Sequence, residues 1–182
     1  MKIAVFCSSS ERVSPIFFSE IDQLGEGLAL DGHSVIYGGA ALGCMGALAR
    51  GVLRGKGRLI GVVPELDFMS GIVEPGLHER HDVMSLAERK TKMLGLADAV
   101  LVFPGGLGTL DEAFEALALK SAGTLCKPII FYNFLGVWSP LLEALELLVE
   151  QNLVKVSLAQ LLHVMDKTQD IREHFKNGVG TP

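Results

Sequence analysis

The chain has 182 residues, of which 49% are apolar and 20% charged, with a net charge of −5. That is enough for one domain, residues 1–182, with a real core, and it is too apolar for a disordered segment. An acidic chain offers no basic face to a nucleic-acid polymer, and no apolar run approaches the ~18 residues of a membrane span.

The elements follow in order. Residues 2–7 form a short apolar strand, read as a first strand and not as a signal peptide, and Ser8-Ser9-Ser10 ends it. A helix beginning near Ser14-Pro15 carries Ile16, Phe17, Ile21, Leu24 and Leu28 on one face. Asp31-Gly32-His33 closes it before a strand at 34–37, a glycine-rich loop at 38–43 and a helix at 44–53. A third strand at 59–63 stops at Pro64. Apolar strands alternating with helices predict a Rossmann-like, doubly wound α/β fold: a mostly parallel sheet with helices on both faces.

Residues 64–84 follow no clean period, and so long a connection is expected to be a rim or lid, with a short strand near 79–83 an option. Its His78, Arg80 and His81 either reach a ligand or serve the surface. A helix follows at 85–96, with Ser85 and Glu88 at capping-box spacing. Then come a buried strand at 98–103, the loop Pro104-Gly105-Gly106-Leu107-Gly108-Thr109, and a helix to about Ser121. Further on the pattern predicts a strand at 127–132, a loop at 135–140, a helix at 141–151, a short strand at 161–165, a small helix at 167–175 and a frayed tail at 177–182. Cys7, Cys44 and Cys126 lie far apart without metal-ligand spacing, which predicts buried thiols in a reducing, cytoplasmic compartment and no zinc site.

The chemistry is expected at the loop 104–109. Three glycines between a strand and a helix leave backbone N–H groups uncovered, and the helix adds the positive end of its dipole, so the place suits a phosphate. The loop is neither a Walker A sequence nor the dinucleotide fingerprint. Thr109 and Glu112 also match a capping box, in which the glutamate would only close the helix start. In a doubly wound sheet the loops leaving strand carboxyl ends gather at one edge, which brings Ser8-Ser9-Ser10 and the 38–43 loop toward this one. Arg89 falls on or beside the inward stripe of its helix, where it needs an anion: a ligand phosphate or Glu112 across the cleft. Lys90 points more sideways, as a second phosphate contact or a solvated charge.

The residues Ala4 to Ser10, Tyr37 to Gly46, Glu88 to Met93 and Pro104 to Glu112 together resemble the LOG ("lonely guy") family of cytokinin riboside 5′-monophosphate phosphoribohydrolases, often labelled lysine decarboxylases. The match covers nearly the whole chain, and Pro104-Gly105-Gly106-Leu107-Gly108-Thr109-Leu110-Asp111-Glu112 fits the family signature Pro-Gly-Gly-x-Gly-Thr-x-x-Glu in full. The resemblance implies hydrolysis of the N-glycosidic bond of an adenosine 5′-monophosphate, often N6-prenylated, in cytokinin biosynthesis, without a metal or organic cofactor. It implies Arg89 and Glu112 as the essential pair, with Asp111 as the fallback acid. Gly105, Gly106, Gly108 and Thr109 would hold the 5′-phosphate, with Ser8, Gly38 and Gly39 lining the nucleotide cleft. It also implies a homodimer with the site near the subunit interface. The chain departs from the family pattern at Ala40, where a third glycine is common, at Cys44, and at Leu86-Ala87, where Met-His is usual. The alternative is a non-catalytic or differently specific purine nucleotide binder. A lysine decarboxylase is disfavoured, because that chemistry runs through a lysine Schiff base on an electron-sink cofactor.

Overall fold

The computed structural model describes residues 1–177. Among these, seven strands form one parallel sheet: β1 (Lys2–Phe6), β2 (Ser34–Tyr37), β3 (Leu59–Pro64), β4 (Glu79–Val83), β5 (Ala99–Val102), β6 (Ile129–Tyr132) and β7 (His163–Met165). Their spatial order is β4-β3-β2-β1-β5-β6-β7. The central strands are almost wholly apolar, Ser34 at the start of β2 excepted, because each is covered on both faces. Alternate residues of β1 feed two cores. Ile3, Val5 and Cys7 pack with α1 (Pro15–Leu30), α2 (Gly43–Arg54) and α7 (Thr168–Lys176). Ala4 and Phe6 pack with α3 (Leu86–Leu96), α4 (Leu107–Ser121), α5 (Ser139–Glu150) and α6 (Leu158–Leu161). The doubly wound fold expected from the sequence is the one found.

Helices α1 and α2 approach closely because glycines face each other across the contact. A methyl at Gly51 would run into the Asp22 carbonyl, and one at Gly25 would lie 2.7 Å from the Leu48 carbonyl oxygen. At the edge, β4 occupies the stretch where a short strand was an option. Its polar and charged run Glu79, Arg80, His81 and Asp82 suits an exposed sheet edge.

Several boundaries differ from the sequence pattern. The 135–140 loop contains a short 3₁₀ turn at Phe134–Gly136, and α5 already begins at Ser139. The last strand is reduced to His163–Met165, because Ser157 and Gln160 form a capping box that starts α6 just before it. The larger correction concerns α4. Its first helical residue is Leu107 and its N-cap is Gly106, so Thr109 and Glu112 both lie inside the helix and form no capping box. Their spacing of three instead puts both on the buried stripe Thr109, Glu112, Ala113, Ala116 and Leu117. The expected frayed tail, apart from Asn177, lies outside the described residues.

Candidate active site

The strand order reverses beside β1: the chain moves outward through β2, β3 and β4, returns along α3, and resumes with β5 on the other side. Ligands of doubly wound sheets sit outside the carboxyl ends at such a switch point. Here the loops after β1, β2 and β5 lie side by side. A cleft of about 310 Å³ opens there, bordered by Ser8, Met45, Leu86, Arg89, Thr109 and Glu112 among others. A larger hollow of about 500 Å³ lies against the 63–73 connection and Arg80. The Arg80 guanidinium is committed to Asp82, and among the described residues only a three-residue 3₁₀ turn, Asp67–Met69, and no α-helix starts at that hollow, so the smaller cleft is the candidate site.

The cleft's floor is the start of α4. Leu110 is the first residue of that helix whose N–H reaches a carbonyl within it, that of Gly106 at 3.0 Å, which leaves the earlier N–H groups for a ligand. Nothing lies within 4 Å of where a side chain would begin at Gly106 or Gly108, so an anion can approach the backbone there. Gly105 plays a different part, since any side chain would collide with Thr109 Oγ1. The start of α2 is not available in the same way. Met45 N–H donates to the Ser8 carbonyl at 3.2 Å, and Gly43 packs against the Ser9 carbonyl. Of these two helix starts, only that of α4 is open.

Arg89 and Glu112 are brought together. Arg89 Nη2 donates to Glu112 Oε1 at 2.6 Å, with the side chains 11% and 2% exposed. The guanidinium passes over Gly38, where a Cβ would stand 3.3 Å from Nη1. Arg89 Nε–H is buried and finds no acceptor among the described residues, a donor left for a ligand. Burial pushes the Glu112 carboxyl up to about 7; Arg89 opposes that shift by charge and hydrogen bond without cancelling it. Cys7, next to the same carboxylate, has its thiol pushed well up by burial, which keeps it protonated.

The other expected residues divide. Ser8, Gly106, Gly108 and Thr109 border the cleft with Arg89 and Glu112. Gly38, Gly39 and Gly105 are not part of that border; the φ of +81° at Gly39 and its contact with Val63 give it a structural reason to be glycine. Ala40 is buried in the core and bridges to Val73, so its methyl fits without entering the cleft. Lys90, expected as a second phosphate contact or a solvated charge, donates from Nζ to Asp111 at 2.8 Å and contacts Glu115 at 2.7 Å. That pairing also leaves Asp111 facing outward. His78, Arg80 and His81 bind their own strand edge: Leu59 N–H donates to His78, Arg80 pairs with Asp82, and His81 with Glu79. Sequence reasoning did not single out Cys7 and Met45 as cleft residues. Their signal was positional, the end of β1 and the first turn of α2, with no chemical type to flag them.

Fold and cleft together define a doubly wound α/β protein with an anion-receptive helix start and a buried Arg–Glu pair at its switch point. A family profile described as "Possible lysine decarboxylase" matches residues 45–175. A cytokinin riboside 5′-monophosphate phosphoribohydrolase of Rhodococcoides fascians is 33% identical over 145 residues, 79% of this chain and 73% of that protein. A rice protein (Oryza sativa subsp. japonica) named "Probable cytokinin riboside 5'-monophosphate phosphoribohydrolase LOGL2" is 29% identical over 96% of this chain and 72% of its own length. The chain belongs to this LOG family of enzymes. The molybdenum cofactor carrier protein of Chlamydomonas reinhardtii superposes with a TM-score of 0.73 over 97% of this chain and 96% of that one. At 21% identity that likeness shows the shared fold alone.

Proposed function

We propose that the chain hydrolyses the N-glycosidic bond of adenosine 5′-monophosphate and its N6-modified, cytokinin-type derivatives, giving the free base and ribose 5-phosphate. The observation that carries this reading is the buried Arg89–Glu112 pair set beside the open start of α4. The 5′-phosphate sits on the N–H groups of Gly106, Gly108 and Thr109, where dipole and uncovered donors favour an anion. That anchor brings the ribose to Glu112.

Breaking the C1′–N bond leaves the ribose oxocarbenium-like and the departing purine electron-rich. The Glu112 carboxylate stabilises the first and orients a water, whose oxygen bonds to C1′ while its proton balances the base nitrogen that leaves. Arg89 holds the carboxylate in place and offers its free Nε–H to the ribose or phosphate oxygens, turning remote binding into position. The family description as a decarboxylase finds no support at Lys90. Two carboxylates raise its pKa and keep it an ammonium, the opposite of what a Schiff-base lysine requires.

The enzyme acts in the cytoplasm, a reducing compartment that suits three free thiols, Cys7 and Cys44 buried as expected and Cys126 exposed against that expectation. No helix among the described residues is long and apolar enough to cross a membrane. It works as a homodimer, a reading supported by the family and by the apolar stripe that α4 exposes beside the cleft. A panel of nucleosides and nucleoside 5′-monophosphates, read by free-base release, tests the activity. AMP should be cleaved and adenosine hardly at all. Equal rates on both overturn the phosphate assignment, and tight AMP binding with no base released makes the protein a nucleotide binder only.

A further inference from the structure

The polar contact between α3 and α4 joins two neighbouring residues of α3 to three carboxylates of α4. Arg89 reaches inward to Glu112, and the next residue, Lys90, reaches outward to Asp111 and Glu115. Lys90 is not a loose surface lysine: its side chain is 12% exposed, and its Nζ lies 2.8 Å from one carboxylate and 2.7 Å from the other. Asp111 adjoins Glu112 in the chain, and Glu115 stands one turn further along. Two negative charges therefore sit close to the carboxyl that must itself become negative, and one ammonium offsets them. We propose that Lys90 is a positioning residue for the reaction, its ammonium cancelling the Asp111 and Glu115 charges beside Glu112.

The groups around Glu112 give this assignment its direction. From α3 it faces Arg89 and Lys90 and from its own helix Asp111, with Glu115 one turn further on; just past the end of β1 stands the Cys7 thiol, with Cys44 behind that. Arg89 and Lys90 favour the carboxylate; burial and Asp111 oppose it. A like charge disfavours ionisation and an opposite charge favours it, so taking Lys90 away acts twice. The cation is lost, and Asp111 is left uncompensated. Glu112 then ionises only at higher pH. A clamp that merely held two helices together would instead lower the rate by the same factor at every pH.

This inference rests on the phosphoribohydrolase reading, and the experiment separates the two. The carboxyl of Glu112 is followed by NMR in protein carrying ¹³C-carboxyl glutamate, assigned by its loss in Glu112→Gln, in parallel with kcat for AMP from pH 5.5 to 9. In Lys90→Met the Glu112 midpoint should rise by about half a pH unit or more. The acidic limb of kcat should rise with it, so that turnover falls about threefold on the limb and recovers at high pH. Lys90→Arg should restore both. Asp111→Asn, which keeps Lys90 paired to Glu115, should lower the midpoint and so tests the charge effect if the Met variant does not fold. Arg54→Met removes another ion pair between helices, that of α2 with Asp22 and Glu26 on α1, and should change neither readout. An unmoved midpoint in Lys90→Met, or a rate loss equal at all pH values, overturns the role. If the wild type releases no base, the functional reading fails, while the titration still decides whether Lys90 governs Glu112.

Discussion

Glu112 loses its hydration on burial and regains part of the lost free energy from Arg89, and the loss is the larger. Its carboxyl therefore titrates at about 7, against an ordinary 4.5. Two pH effects of opposite direction follow. The rate needs the carboxylate, so kcat/KM for AMP should climb as pH rises through about 7 and level off above it. Stability runs the other way. Between those two values the folded chain holds a proton that the unfolded chain has released, so rising pH weakens the fold, by roughly 3 kcal/mol as an upper figure. Unfolding of the ligand-free protein in urea at pH 5 and pH 8 reads this, and Glu112→Gln should remove that component. The same variant decides the residue's role. With Glu112 inside α4 and not at its cap, glutamine keeps the bond from Arg89 and the fold. It removes the charge, and adenine release should fall by roughly 10²-fold or more while AMP still binds. Arg89→Ala should weaken AMP binding as well as turnover. Near-normal turnover in folded Glu112→Gln moves the chemistry to another acid, Asp111 being the nearest in sequence.

Helices α1 and α2 carry no proposed chemistry, yet they set how closely the β1 and β2 loops approach the cleft, because Ser8 and Ser9 rest on the start of α2. Gly51→Ala tests that coupling. Its methyl meets backbone at Asp22, so the helices must separate, and the variant should lose about 1–3 kcal/mol in chemical denaturation. This element pair also shows what the sequence made legible. The period of Ile21, Leu24 and Leu28 marked α1, and the apolar runs marked the central strands, because burial on one or both faces writes itself into residue type. The glycine loop was legible for the same reason: an open backbone needs small residues. The partner of Lys90 was not, since Asp111 and Glu115 lie more than twenty positions away and only the crossing of α3 over α4 brings them near. The capping-box spacing misled because a separation of three serves equally for a cap and for two residues on one helix face, and Gly106 took the cap instead.

The exposed apolar surface bears on assembly. On α5, Leu142 is buried and Leu141 and Leu145 pack against the second core, which leaves Leu147 and Leu148 exposed. The unpartnered stripe lies elsewhere. Leu107 is 85% exposed and Phe114 41%, and seven positions apart they share one face of α4; Leu86 at 42% stands beside the cleft on α3. Leu107 is also the first residue of the helix whose start is proposed to hold the phosphate. A second copy seated on this stripe would remove apolar surface from water and narrow the mouth of the cleft, excluding bulk water from the reacting bond. In that arrangement activity depends on association. Wild-type protein at micromolar concentration should scatter light as twice the 19.5 kDa chain mass. Phe114→Glu should scatter as a single chain, keep its circular dichroism, and lose AMP turnover in proportion to the dimer lost. A monomeric wild type overturns the dimer, and a dimer that persists in Phe114→Glu moves the contact away from α4, with Leu147 and Leu148 of α5 the next exposed pair to replace.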